Sequence, residues 1–76
     1  MRDRVRAILE KVGMSPSPEK GDDALLDYGF DSLMMVLIIA ELEKEFKIKI
    51  PASTIDEEIF STLDSLEKFA KERGAK

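Results

Sequence analysis

The sequence of 76 residues contains no cysteine, histidine or tryptophan. Without cysteine and histidine, the chain cannot form a disulfide framework, a thiolate nucleophile, a histidine general base or a zinc site built from these ligands. These absences exclude most kinds of enzyme active site. We therefore expect a protein that is not an enzyme and has no metal site of its own.

Long apolar runs and an excess of basic residues are also missing. The longest apolar run, Leu33 to Ala40, has eight residues, whereas a helix that spans a bilayer needs about 20. The first residues lack the apolar centre of a signal peptide, and Met1 with a polar C-terminus favours a free-standing protein. The formal net charge of −4 argues against nucleic acid, whose binders carry basic patches. We predict a cytoplasmic protein with no membrane insertion and no nucleic-acid partner.

The residues that are present fit a single all-α domain over residues 1–76. Hydrophobic residues make up 43% and charged residues 37% of the chain, which is a globular balance. Apolar spacing and capping residues predict three longer helices and one short helix. The first predicted helix covers about 3–13, and the second starts at Asp31-Ser32 and continues for fourteen residues up to Phe46. The short helix covers 54–60 with Thr54 as N-cap, and the last helix runs from Ser61 or Thr62 to near Gly74. Leu25, Leu26 and Tyr28 are expected to anchor the loop 14–30 to the core.

The second helix carries more apolar surface than so small a domain can bury. Its predicted core face consists of Met35, Ile38, Ile39, Leu42 and Phe46. Leu33, Met34, Val36, Leu37 and Ala40 share the other side of the helix with charged residues. An exposed apolar patch beside acids usually marks a partner surface, and we expect one at Leu33, Met34 and Leu37. Alternatively, the loop 14–30 folds back and covers this side.

Ser32 lies in the predicted first turn of this helix. Free backbone N–H groups and the helix dipole favour an attached or bound anion there. By itself Asp-Ser at a helix start is usually only a cap, and the tripeptide Asp-Ser-Leu occurs again at 64–66. Ser65 falls inside the last predicted helix, and we interpret it as structural.

The residues around Ser32 resemble a known motif. Tyr28-Gly29-Phe30-Asp31-Ser32-Leu33 closely resembles the Gly-x-Asp-Ser-Leu motif of carrier proteins, whose serine receives phosphopantetheine. The resemblance continues through Val36 and the segments 41–46, 48–51 and 60–66, so it covers nearly the whole chain. The sequence is similar to acyl carrier proteins and their peptidyl-carrier relatives.

This resemblance implies an acyl-carrier-like four-helix bundle that is monomeric. A phosphopantetheinyl transferase would use coenzyme A and magnesium to attach phosphopantetheine to Ser32, and the thiol of that cofactor would hold an acyl group as a thioester. Asp31 matches the position whose carboxylate helps to bind magnesium during transfer, although it could equally be only the N-cap. Leu33 matches the leucine that partner enzymes of the family contact. The region that shelters an acyl chain in some members corresponds to Ile38, Ile39, Ile55, Ile59 and Phe60.

The sequence departs from carriers of bacterial fatty acid synthesis just after the serine. Met34 and Leu37 stand where those carriers usually have acids, and the acids are concentrated instead at 22–27 and 56–58. This difference favours a specialised carrier in a fatty-acid, polyketide or lipid-modification pathway. Its partners would be acyl-activating, acyltransferase or ketosynthase enzymes. Two alternatives stay open: an aminoacyl or peptidyl carrier, and a helical interaction module that is never modified.

Overall fold

The computed structural model describes residues 2–75, which form three α-helices and three short 3-10 helices. The α-helices are α1 (Arg2–Lys11), α2 (Ser32–Phe46) and α3 (Leu63–Glu72), and the 3-10 helices are Leu25–Tyr28, Ala52–Thr54 and Glu57–Phe60. Within these residues there is no β-strand, only an isolated antiparallel bridge between Ala24 and Thr62. The all-α prediction is confirmed. Across residues 2–75, no helix has both the length and the apolar character that crossing a bilayer requires.

The first helix buries the face that the apolar spacing predicted. Val5, Ile8 and Leu9 are buried, and Val12 packs against the core just beyond the helix. The chain then turns at Gly13, whose φ of 111° lies in the left-handed region that glycine adopts without steric cost. The helix therefore stops close to the predicted position.

Charged side chains of α1 attach it to the carboxyl-terminal half of α2. Arg4 pairs with Glu45 at 2.8 Å, and Lys11 pairs with Glu41 at 3.0 Å. The Arg4 guanidinium also lies over the Phe46 ring, 4.4 Å from its centroid. Exposed ion pairs of this kind contribute about 0–1 kcal/mol each, so they orient the two helices more than they stabilise the fold.

The connection between α1 and α2 packs on the core at several points. Met14 and Leu25 are fully buried, and Tyr28 is half-buried, whereas Leu26 is 74% exposed. The predicted anchoring is confirmed for Leu25 and for Tyr28, which packs against the core, and is wrong for Leu26. A 3-10 helix has about three residues per turn, so Leu25 and Tyr28 share one side while Leu26 points away from it.

The short helix predicted from Thr54 to Phe60 is wrong. Thr54 ends one 3-10 helix, Ile55 is extended at φ −92° and ψ 126°, and a separate 3-10 helix covers Glu57–Phe60. Asp56 caps the second of these by accepting the N–H of Ile59 at 3.2 Å. Because a short acidic side chain competes for nearby backbone N–H groups, it starts a new turn instead of extending the first one.

The last helix begins at the predicted cap and completes the core. Thr62 Oγ1 accepts the N–H of Ser65 at 3.1 Å, which selects Thr62 over Ser61 as the N-cap. The helix ends at Glu72, and Gly74 follows with a φ of 110°. The buried apolar residues of the core come from all three α-helices, their connections and the segment after α3: Val5, Ile8, Leu9, Met14, Leu25, Ile38, Leu42, Ile50, Phe60, Leu63, Leu66, Phe69, Ala70 and Ala75.

Candidate functional site

Residues 29–32 turn the chain from a 3-10 helix into α2. Gly29 has a φ of 89°, and its N–H donates to the Leu26 carbonyl at 3.3 Å. Among the described atoms, nothing lies within 4 Å of the place that a Cβ on Gly29 would take. Glycine is favoured here by the backbone conformation and not by lack of space. The turn brings Asp31 and Ser32 to the amino-terminal end of α2.

Asp31 is the N-cap of α2. Its Oδ1 accepts the N–H of Met34 at 2.8 Å, and its backbone is extended. A carboxylate in this position satisfies one free donor of the first turn and interacts favourably with the helix dipole. Within residues 2–75, no group of three or more acidic, histidine or cysteine side chains could hold a metal ion.

Ser32 is the first residue of α2 and is exposed. Its hydroxyl makes no hydrogen bond to any other residue in the described part of the chain. The N–H groups of the first helical turn have no partner four residues back in the helix, and one of them is taken by Asp31. The hydroxyl is thus accessible and unengaged beside donors suited to an anion.

Ser65, in the second copy of the tripeptide, has a different environment. Its Oγ lies 3.0 Å from Thr62 Oγ1 and 3.2 Å from Ser61 Oγ, and it is half-buried. The preceding Asp64 donates its N–H to the Gly21 carbonyl at 2.8 Å. These contacts agree with the structural interpretation of Ser65, because its hydroxyl belongs to the cap of α3.

A groove lies directly beside Ser32, between the start of α2 and the two neighbouring 3-10 helices. It encloses about 470 Å³. Its lining residues are Leu26, Phe30, Asp31, Ser32, Met35, Glu57, Glu58, Phe60 and Ser61. The Phe30 and Phe60 rings stack with centroids 5.1 Å apart and planes 19° apart, and Phe60 is only 2% exposed. The groove therefore has an apolar floor and an acidic rim.

The groove differs in its lining from the acyl-chain shelter expected from the resemblance. Of the residues expected there, only Phe60 lines the groove. Ile38 is fully buried, and Ile39, Ile55 and Ile59 pack against the core. Sequence reasoning missed Leu26, which was assigned to the core. The sequence carries no signal that distinguishes Leu26 from Leu25, because the 3-10 helix that directs them to different sides is only one turn long.

The apolar side of α2 is open to solvent over most of its predicted extent. Leu33, Val36 and Leu37, here called the apolar patch, are 69%, 61% and 41% exposed. The loop 14–30 does not cover these three residues. Met34 differs, because it is partly buried and its Cε lies 3.7 Å from the place of a Cβ on Gly13. The side chain of Met34 is directed toward the end of α1.

A hydrogen-bonded pair shapes the loop that precedes the site. Asp23 Oδ2 accepts the Lys20 N–H and the Tyr28 hydroxyl, each at 3.1 Å. The bond from the Lys20 N–H, with that from Tyr28, lowers the pKa of Asp23 below its ordinary value. The bond to Asp23, together with desolvation, raises the pKa of Tyr28. These hydrogen bonds connect the last residue of the 3-10 helix before Gly29, Tyr28, to the preceding loop.

The chain is similar to a protein family and to a carrier protein of known structure. The sequence model of the family described as "Phosphopantetheine attachment site" matches residues 3–70. Comparison with curated protein sequences gave no match. A solved structure from Bradyrhizobium japonicum, of glycine:[carrier protein] ligase complexed with glycylated carrier protein, contains a similar chain with 25% identity and a TM-score of 0.74. The similarity covers 88% of this chain and 93% of that chain.

Proposed function

Because the chain belongs to the phosphopantetheine attachment-site family, we propose that Ser32 is the residue to which the prosthetic group is attached. Proteins with this domain are non-catalytic carriers with a covalently attached phosphopantetheine. The observation that supports Ser32 is its exposed hydroxyl without a hydrogen-bond partner in residues 2–75, at the amino-terminal end of α2. Ser65, in the same tripeptide, instead takes part in the cap of α3.

The residues around Ser32 fit this group. Attachment would form a bond between Ser32 Oγ and the phosphorus of the phosphopantetheine part of coenzyme A, while the pyrophosphate bond of coenzyme A breaks and adenosine 3′,5′-bisphosphate and the hydroxyl proton leave. The N–H groups of the first turn can donate to the phosphate oxygens of the resulting phosphodiester. We propose that Asp31, besides capping α2, offers its carboxylate to the magnesium that a phosphopantetheinyl transferase uses. When bound, the group supplies a terminal thiol that holds cargo as a thioester. Since the sequence has no cysteine, that thiol has no competitor within the chain.

We propose an aminoacyl group as the cargo and an amino-acid-activating ligase as the loading partner. The similar Bradyrhizobium japonicum carrier is glycylated and forms a complex with glycine:[carrier protein] ligase. The second candidate is an acyl cargo of a fatty-acid, polyketide or lipid-modification pathway, which the resemblance of nearly the whole chain to acyl carrier proteins supports. The two candidates share the same attachment residue and differ in the enzyme that loads the thiol.

Partner enzymes are proposed to contact the apolar patch. Leu33 is adjacent to Ser32, and Val36 and Leu37 continue the exposed surface along the next turn of α2. The segment from Ser32 to Ala40 contains no charged residue, so contact there depends on burial of apolar surface. Met34 was also expected on this surface from the sequence. Because it is partly buried beside Gly13, it offers less of its side chain for contact with a partner.

The attachment residue is tested by intact mass after incubation with coenzyme A, magnesium and a broad-specificity phosphopantetheinyl transferase. We expect the wild type and Ser65→Ala to gain the mass of one phosphopantetheine, and Ser32→Ala to gain none. Ser65→Ala is the matched control because it changes the same tripeptide at the other copy. Modification that persists in Ser32→Ala refutes the assignment, and a folded wild type without modification favours the interaction module.

The cargo is tested on the modified protein. Purified amino-acid:carrier ligases and acyl:carrier ligases are offered the same holo protein, and thioester formation is followed by mass and by release with hydroxylamine. Loading by an amino-acid ligase, with little or none by the acyl ligases, supports the aminoacyl proposal. The opposite preference supports the second candidate and leaves the assignment of Ser32 unaffected.

A further inference from the structure

A lysine lies in line with the apolar patch at the far end of α2. Lys44 follows Leu33 by 11 residues, which is about three full turns, so the two residues share one side of the helix about 17 Å apart. Both are exposed, and so is the small residue Ala40 between them. The exposed side of α2 thus changes from apolar beside Ser32 to positively charged near its carboxyl-terminal end.

The charge of Lys44 is not balanced by an ion pair within residues 2–75. Two neighbouring acids of α2, Glu41 and Glu45, are each paired with a cation of α1, at 3.0 Å and 2.8 Å. Asp3 of α1 lines the same groove between the two helices as Lys44, but the two form no ion pair. The Lys44 ammonium is therefore available to a carboxylate of another molecule.

We propose that Lys44 is a specificity-determining residue for the enzyme that loads the phosphopantetheine thiol, and that this enzyme presents a carboxylate to Lys44 and an apolar surface to Leu33. This inference rests on the function proposed above. The apolar patch has three side chains, whereas a stable interface takes about 20–30 residues from each partner, and so small a contact suits a transient complex. Charge complementarity in such a complex governs the association rate and the exclusion of wrong partners more than the affinity.

The opposite charge lies at the Ser32 end of the molecule. Glu57 and Glu58 line the groove beside Ser32, are exposed, and form no ion pair with another residue among 2–75. An enzyme that docks along α2 in the reversed direction brings its carboxylate toward these acids, which repel it. The two charges therefore select one direction of docking, and with it the position of the active site of the enzyme relative to Ser32.

The first experiment measures loading kinetics on holo protein that intact mass shows to be modified at Ser32. The probe is the purified amino-acid or acyl ligase that loads the wild type, and the variants are Lys44→Glu, Lys44→Arg and Lys68→Glu. Lys68 is the matched control, because it is an exposed lysine of α3 without an ion pair in residues 2–75. Its replacement changes the net charge by the same amount.

We expect Lys44→Glu to raise KM about fivefold or more with little change in kcat, since repulsion weakens encounter and not the chemical step. Lys44→Arg and Lys68→Glu should stay within about twofold of the wild type. Salt screens an exposed ion pair, so KM of the wild type should rise with salt concentration, whereas that of Lys44→Glu should not.

The second experiment treats the mixture of holo protein and ligase with a carbodiimide, which joins an amine to a carboxylate as an amide only where the two are in contact. We expect a link from Lys44 to an aspartate or glutamate of the ligase, and no link at this position in Lys44→Arg, whose guanidinium keeps the charge but does not form the amide. A cation in the last turn also interacts favourably with the helix dipole. That role alone changes the urea midpoint of Lys44→Glu and gives neither the link nor the selective rise in KM.

Holo Lys44→Glu that is loaded as well as the wild type, or a ligase that links to other lysines and not to Lys44, overturns the inference and leaves the attachment intact. Equal slowing of Lys44→Glu and Lys68→Glu also overturns it, because net charge alone then explains the effect. Modified protein that neither kind of ligase loads overturns the proposed loading partner together with this inference. Failure of modification at Ser32 overturns the proposed function and this inference with it.

Discussion

Leu42→Ala and Leu33→Ala make the same chemical change on one helix in two different environments. Leu42 is 0% exposed within the core, whereas Leu33 is 69% exposed in the apolar patch. Burial at Leu42 means that the change loses transfer free energy and leaves a cavity, which together cost about 2–5 kcal/mol. Domains have a total stability of about 5–15 kcal/mol, and a small core lies toward the lower end of that range. Leu42→Ala therefore removes a large part of the free energy of unfolding.

The corresponding change at Leu33 should leave folding almost unaffected. Most of its side chain already contacts water, and Leu and Ala are both good helix formers, so we expect a change within about 0.5 kcal/mol. Leu37, at 41% exposed, should give a value between those of Leu33 and Leu42. If the apolar patch contacts partner enzymes, Leu33→Ala slows loading by them without loss of stability.

Urea unfolding followed by far-ultraviolet circular dichroism measures both changes. With slopes of about 1–3 kcal/mol per molar urea for small proteins, Leu42→Ala should lower the unfolding midpoint by about 1 M or more, and Leu33→Ala should barely move it. A loss of more than about 2 kcal/mol at Leu33 would show that the patch is covered in solution. A loss of less than about 1 kcal/mol at Leu42 would place that residue outside the core.

Three further substitutions test the turn that leads into Ser32. Gly29→Ala forces a side chain into a φ of 89° and should cost about 1–2 kcal/mol in urea unfolding; an unchanged midpoint would mean that the backbone relaxes. Asp31→Asn keeps an N-cap that asparagine also provides, so stability should stay within about 0.5 kcal/mol, while phosphopantetheine transfer slows if the carboxylate binds magnesium. Transfer at the wild-type rate would leave Asp31 with the capping role alone. Tyr28 is the only tyrosine, and its pKa is raised above 10.0 by its hydrogen bond to Asp23 and by desolvation. The stability from this bond is present below pH 10 and is lost as the pH rises through the raised pKa. Ultraviolet absorbance of tyrosine should therefore titrate above that value, and Asp23→Asn should lower the midpoint; an unshifted midpoint in the variant would refute the pairing.

The part of the site that lies on α2 could be predicted because local signals there agree with one another. Asp31 is a strong N-cap, and the residues after it are good helix formers. The motif Gly-x-Asp-Ser-Leu predicts Ser32 as the attachment residue. The exposure of one side of α2 could be predicted because the helix is apolar on all sides and a chain of this size cannot bury all of them. Leu33 and Leu37 are accordingly exposed, as the apolar pattern indicated.

The parts of the candidate site outside α2 lie on short 3-10 helices, which the sequence predicts poorly because each is only one turn long. Leu25 and Leu26 were both predicted to anchor a loop to the core, whereas the 3-10 geometry directs them to different sides. The segment 54–60 has helical composition, but Asp56 interrupts it through a single hydrogen bond to Ile59. The groove could not be found beforehand for the same reason, because two of its walls are these one-turn helices.

The contacts between α1 and the far half of α2 have a consequence for motion. Arg4 and Lys11 hold the carboxyl-terminal half of α2, where Leu42 is also buried, whereas none of residues 32–37 is fully buried. Segments with few buried contacts open at lower free energy, so backbone amide hydrogens after the first turn should exchange with solvent faster at the Ser32 end. Ser32 thus lies at the end of α2 that has the fewer buried contacts, whereas the other end is held by ion pairs to α1 and by burial of Leu42. We therefore expect the first turn around Ser32 to deform at a lower free-energy cost than the rest of the fold.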